Sequence, residues 1–131
     1  MNQMTECTLC PRRCGADRTV GVGLCGGGSA ARISKVMLHR WEEPCICGDA
    51  GTLAVFFSGC ALGCVYCQNR DISRASAGEK YSVDELAGLF FRAEQEGAVS
   101  LDLVTPSHYA PQIDEALGRC DLRVPVVYNI G

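Results

Sequence analysis

No stretch of the sequence is long and apolar enough to span a bilayer. The longest apolar runs, such as Leu53–Phe57 and Val124–Tyr128, fall far short of the roughly 20 residues a spanning helix needs. A basic excess is also missing. Twelve Lys and Arg stand against fifteen Asp and Glu, a net charge of −3, which argues against a nucleic-acid binder working by phosphate neutralisation. The N-terminus, with Asn2, Gln3, Thr5 and Glu6, lacks the basic and then apolar regions of a secretory signal, so a cytoplasmic protein is expected. Disorder is excluded by 47% hydrophobic and only 21% charged residues, and 131 residues suit one domain rather than two.

What the chain has in quantity is cysteine. There are ten, nine of them between Cys7 and Cys67, with only Cys120 beyond. Without an export signal this points to metal or redox chemistry rather than a disulfide framework. Residues 1–51 read as a Cys/Gly-rich extension. It has turn signals at Gly26-Gly27-Gly28 and Gly48-Asp49-Ala50-Gly51 and one short strand at Ile33–His39. It holds too few large apolar residues for a core of its own, so a metal staple makes physical sense.

Residues 52–131 read as alternating strands and helices. Thr52–Ser58 is a buried strand, followed by a loop with Cys60, Cys64 and Cys67. Ser82 and Glu85 form a capping box, Leu86, Leu89, Phe90 and Ala93 share one helix face, and Gly97 stops the helix. Leu101–Thr105, a short helix over Pro111–Gly118 and a strand at Val124–Asn129 complete the order. It predicts an α/β fold with a parallel sheet and right-handed crossovers. A full (β/α) barrel needs roughly 250 residues. The expectation is therefore the N-terminal part of a partial barrel, about three strands and two helices, with its last strand left as an unprotected edge.

The sharpest motif is Cys60-Ala-Leu-Gly-Cys64-Val-Tyr-Cys67. Three thiolates on one loop after a strand can hold three corners of a cubane iron–sulfur cluster and leave the fourth iron open, unlike the four-cysteine clusters of electron carriers. Loops at the C-terminal ends of parallel strands are also where such folds carry their active sites. A zinc site is the rival reading, with Cys45 or Cys47 as a fourth ligand.

The C-x3-C-x2-C loop, with Tyr66 before the third cysteine, resembles the radical S-adenosylmethionine (SAM) superfamily. The resemblance extends through Cys7-Thr-Leu-Cys10-Pro-Arg-Arg-Cys14-Gly, Gly23-Leu-Cys25-Gly, His39-Arg-Trp-Glu42-Glu43-Pro44-Cys45, Phe57-Ser-Gly-Cys60 and Cys67-Gln68-Asn69. Together these are similar to the branch homologous to pyruvate formate-lyase activating enzyme, over about the N-terminal half of such a protein. The resemblance implies that Cys60, Cys64 and Cys67 bind a [4Fe-4S] cluster whose fourth iron is chelated by SAM. It implies reductive cleavage of SAM to methionine and a 5′-deoxyadenosyl radical, fed by a reducing donor such as flavodoxin or ferredoxin. The radical would take hydrogen from a backbone glycine of a partner glycyl-radical enzyme, and Tyr66 would lie near the adenine.

Where many members carry Gly-Gly-Glu at a strand end to hold the SAM amino group, this chain reads Val104-Thr105-Pro106-Ser107-His108. A similar run occurs in this branch. Ser107 and His108 are the candidates for that contact, by position and hydrogen-bonding capacity. Asn129, at the third strand's end, is a further one. The plain reading of His108 is a helix-start or surface histidine. The rest of the SAM site and the substrate pocket are expected to lie outside the chain, so that it is inactive alone or needs a second polypeptide.

Cys7-x2-Cys10-x3-Cys14-x10-Cys25 is a second four-thiolate set, suited to zinc or to a second iron–sulfur cluster. Cys45 and Cys47 are too close in sequence for one disulfide. Glu42, Glu43, Arg12 and Arg13 read as solvated charge and Cys120 as a buried thiol. Two readings from other classes stay open: a small iron–sulfur electron carrier and a zinc-stapled, non-catalytic fragment.

Overall fold

The structure is a computed structural model that describes residues 4–10, 12–39, 51–59 and 78–129. It is a mixed α/β fold. Five strands form one sheet in the order β3-β1-β2-β4-β5. These are β1 (Ala31–His39), β2 (Thr52–Phe57), β3 (Glu79–Tyr81), β4 (Ser100–Val104) and β5 (Val126–Asn129). Helix α1 (Val83–Gln95) joins β3 to β4, and a 3-10 turn (Ser107–Tyr109) leads into α2 (Ala110–Arg119).

β2, β4 and β5 run parallel, as the alternation of elements predicts. The sheet as a whole is mixed, because β1 pairs antiparallel with both β2 and β3. The strand of the Cys/Gly-rich extension thus lies inside the sheet. Its register slips between Ile33 and Lys35, an extra-residue bulge at Ser34. The bulge explains the sequence pattern. Ala31 and Ile33 are buried, and the core-facing phase then shifts by one to Val36 and Leu38. It also brings the Ser34 hydroxyl to 2.5 Å from that of Ser58.

Helix α1 starts at Ser82, whose hydroxyl accepts from the Glu85 N–H while the Glu85 carboxylate reaches back to the Ser82 N–H. It ends in a Schellman motif: Gly97 N–H donates to Glu94 O, Ala98 N–H to Ala93 O, and Gly97 has φ +73°. Leu86, Leu89, Phe90 and Ala93 of α1 and Ile113 and Ala116 of α2 pack on Leu53, Val55, Phe57, Leu101 and Leu103. The other sheet face is more polar. There the buried Ser100 hydroxyl lies 2.7 Å from that of Thr52, which in turn donates to Ser100 O.

Among the described residues no helix is long and apolar enough to cross a membrane.

Candidate functional site

The parallel register sets Phe56 beside Val104 and Val104 beside Asn129, so β2, β4 and β5 end at one edge of the sheet. Two unusual backbones meet there. Gly59, just past β2, has φ +82°, and Thr105, just past β4, has φ +53°. A left-handed β-branched residue is strained, and such strain clusters at functional sites. The Thr105 hydroxyl lies 3.2 Å from Phe57 O and 2.7 Å from Val104 O, which ties the two strand ends together.

His108 adds a second tie. Its ring is buried and its Nε2 lies 2.7 Å from Ser58 O, so Nε2–H is the donor. The surface reading of this histidine is therefore corrected: a carbonyl at the end of β2 holds it inside. Burial pushes its pKa below the ordinary imidazole value, the Ser58 carbonyl opposes the shift, and the Arg18 cation adds to it. Ser107 is half-buried beside it. Asn129 closes β5 at the same edge. Cys60, Cys64, Cys67 and Tyr66 lie outside the described residues, as do Glu42, Glu43, Cys45 and Cys47.

The N-terminal segment lies against this edge. A Cβ on Gly59 would stand 2.1 Å from the Cys25 carbonyl oxygen, so only glycine admits that contact. Cys7, Cys10, Cys14 and Cys25, predicted as a set, line one cavity of about 10 Å³ together with Arg18 and His108. The sulfurs of Cys14 and Cys25 both lie within 4 Å of where a Gly23 Cβ would be. Backbone N–H groups serve these sulfurs. Gly27 N–H donates to Cys25 Sγ at 3.3 Å, and bonds from the Ala16 and Leu24 backbones pull the Cys14 pKa down. Burial pushes the Cys25 thiol up. No three His, Cys, Asp or Glu side chains among the described residues converge on one point as metal ligands. A cavity of about 280 Å³ is lined mainly by residues of the 18–30 segment, Arg18 among them, and one of about 390 Å³ lies along β1 and β3; none of the predicted site residues lines either.

The residue that sequence reasoning missed is Arg18. It is 1% exposed. Its Nε and one Nη donate to Gly28 O at 3.1 and 2.8 Å, its other Nη lies 3.8 Å from Cys7 Sγ, and its guanidinium carbon sits 5.4 Å from the Tyr109 ring centre. Tyr109 in turn packs at a tilt against His108, with ring centres 4.3 Å apart. A chain of contacts thus runs from the cysteine cavity through Arg18, Tyr109 and His108 to the end of β2. One arginine in a glycine-rich, aperiodic stretch carries no sequence signal of burial. Arg12 and Arg13 are exposed, as predicted, and Cys120 is half-buried.

No protein-family model matches the chain, and no solved structure matches it. The chain is 27% identical over 137 residues to uncharacterized protein MJ0674 of Methanocaldococcus jannaschii. The alignment takes in 98% of this chain and 39% of that relative, so the chain spans well under half of the relative's length.

Proposed function

We propose that this chain carries the cluster-binding part of a radical SAM protein, with Cys60, Cys64 and Cys67 as ligands of a [4Fe-4S] cluster. The observation that carries the reading is the end of β2. The described chain reaches the C-terminal edge of a parallel layer at left-handed Gly59, where Phe57 O is tied to a strained Thr105, and the three-cysteine motif begins with the next residue in sequence. The donor set fits the group: three thiolates within eight residues match three corners of a cubane. A cluster held by these three cysteines would supply the electron for reductive cleavage of SAM.

The chain's own residues supply position and cover. Thr105 and His108 hold the base of the loop by gripping Phe57 O and Ser58 O. The Cys25 carbonyl packs over Gly59 and keeps water from that base. With His108 engaged by Ser58, the Ser107 hydroxyl is the strand-end group for the SAM amino group, and Asn129 stands at the same edge. Activation of a glycyl-radical enzyme, with electrons from flavodoxin or ferredoxin, is the family-level extension of this reading.

The test is anaerobic reconstitution with iron and sulfide, followed by analysis of both. Iron with matching sulfide that disappears in Cys64→Ser is the expected result. The full-length protein, reduced in the presence of SAM, should release 5′-deoxyadenosine. Zinc without sulfide at these cysteines would overturn the proposal.

A further inference from the structure

The N-terminal cavity poses an electrostatic problem of its own. Arg18 is a permanent cation, 1% exposed, and its partners are a carbonyl, an aromatic face and a sulfur. No carboxylate pairs with it among the described residues. A buried charge left uncompensated is costly, and buried charges are normally paired. The other polar groups that line its cavity are the four cysteines, His108 and a second cation, Arg12. As neutral thiols the cysteines leave the Arg18 cation unpaired; as thiolates they over-compensate it and repel one another. A divalent ion among them resolves both difficulties. Four thiolates around a dication carry a net charge of −2, which the Arg18 guanidinium partly offsets at its 3.8 Å contact with Cys7 Sγ.

We infer that Cys7, Cys10, Cys14 and Cys25 form a closed, mononuclear tetrathiolate site for zinc, with Arg18 as its counter-charge. The cavity of about 10 Å³, roughly one water-sized sphere, suits a single ion better than a cluster. The Gly27 N–H bond to Cys25 Sγ is the kind of outer-shell contact that such sulfurs use. The sulfurs do not converge on one point as they stand, so binding requires them to turn inward about their Cα–Cβ bonds. On binding, each thiol that is still protonated releases its proton to solvent, and no electron moves. The described residues of 4–30 form no helix or strand and are held by turn and loop hydrogen bonds, so the ion would staple a segment with no core of its own. Through Arg18, Tyr109 and His108 the staple would also fix the end of β2.

This site is independent of the cluster proposed at Cys60, and the experiment separates them. The chain carrying Cys60→Ser, Cys64→Ser and Cys67→Ser together is purified without oxygen, and its zinc, iron and sulfide are measured. About one zinc per chain is expected, with four sulfur neighbours near 2.3 Å in X-ray absorption. Cys14→Ser with Cys25→Ser in that background should bring zinc to the level of a blank. Arg18→Met should keep the zinc but release it to a chelator about tenfold faster. Because the absorption spectrum needs no N-terminal substitution, misfolding of those variants does not remove the test. Four free thiols without zinc, a Cys7–Cys14 disulfide, iron with sulfide, or a shell containing oxygen or nitrogen would each overturn the inference.

Discussion

Replacing Gly59 by alanine, with Gly97→Ala as its control, measures how closely the N-terminal segment grips the end of β2. Both glycines are left-handed, with φ of +82° and +73°. They differ in what surrounds them. A Cβ on Gly97 meets nothing within 4 Å, whereas one on Gly59 would lie 2.1 Å from Cys25 O and 3.5 Å from the His108 ring. Gly97→Ala should therefore cost only the backbone preference, about 1–2 kcal/mol. Gly59→Ala carries the same cost plus an overlap of more than 1 Å with a backbone carbonyl, adding about 1–3 kcal/mol as overpacking does. Urea unfolding followed by circular dichroism gives both values, and a melting scan should show roughly 4 °C per kcal/mol. Equal losses at the two positions would refute the packing of Cys25 on Gly59. A Gly59→Ala protein that unfolds more easily but reconstitutes iron normally would refute the view that this contact shapes the cluster loop.

Three further outcomes follow from contacts already described. Arg18→Lys keeps the charge but loses the forked bond to Gly28 O, and should lower stability by about 1–3 kcal/mol in urea. Ser82→Ala removes the α1 cap and should cost about 1 kcal/mol. Combined with Glu85→Ala its effect should be less than additive, because each residue serves the other's backbone. His108 has a folded pKa below its unfolded value near 6.5, chiefly through burial. Its contribution is thus fully present above pH 6.5 and is lost as pH falls through the window beneath it. His108→Gln should flatten the fall in urea midpoint between pH 7 and pH 5, and an unchanged slope would contradict a buried neutral ring.

Helix α1 was legible because its signals are local: Ser82 and Glu85 are three residues apart, and the Leu86–Ala93 stripe has one period. The parallel strands were legible as apolar runs between turn signals. β3 was not, since Glu79-Lys80-Tyr81 is a short, mostly exposed edge whose strand character comes only from pairing with Ala31–Ile33. The mixed sheet was hidden for a related reason. The bulge at Ser34 breaks the alternation of β1, and no local pattern says that its neighbours are β2 and β3. Cys7, Cys10, Cys14 and Cys25 could be grouped by their spacing, and they line one cavity. Arg18 gave no warning, because its burial depends on Gly28, Tyr109 and Cys7 arriving from elsewhere in the chain.

β1 has one more effect, on chain entropy. Ser58 N–H donates to Arg32 O, and Gly78 lies against Ile33 O, so both ends of the connection from residue 59 to residue 78 are fastened to neighbouring residues of one strand. Closing a free loop of this length costs about 2–3 kcal/mol. The pairing of β1 with β2 and β3 meets that cost before any ligand arrives. Under the proposed reading, a ligand at Cys60, Cys64 and Cys67 would meet a segment whose two ends are already placed.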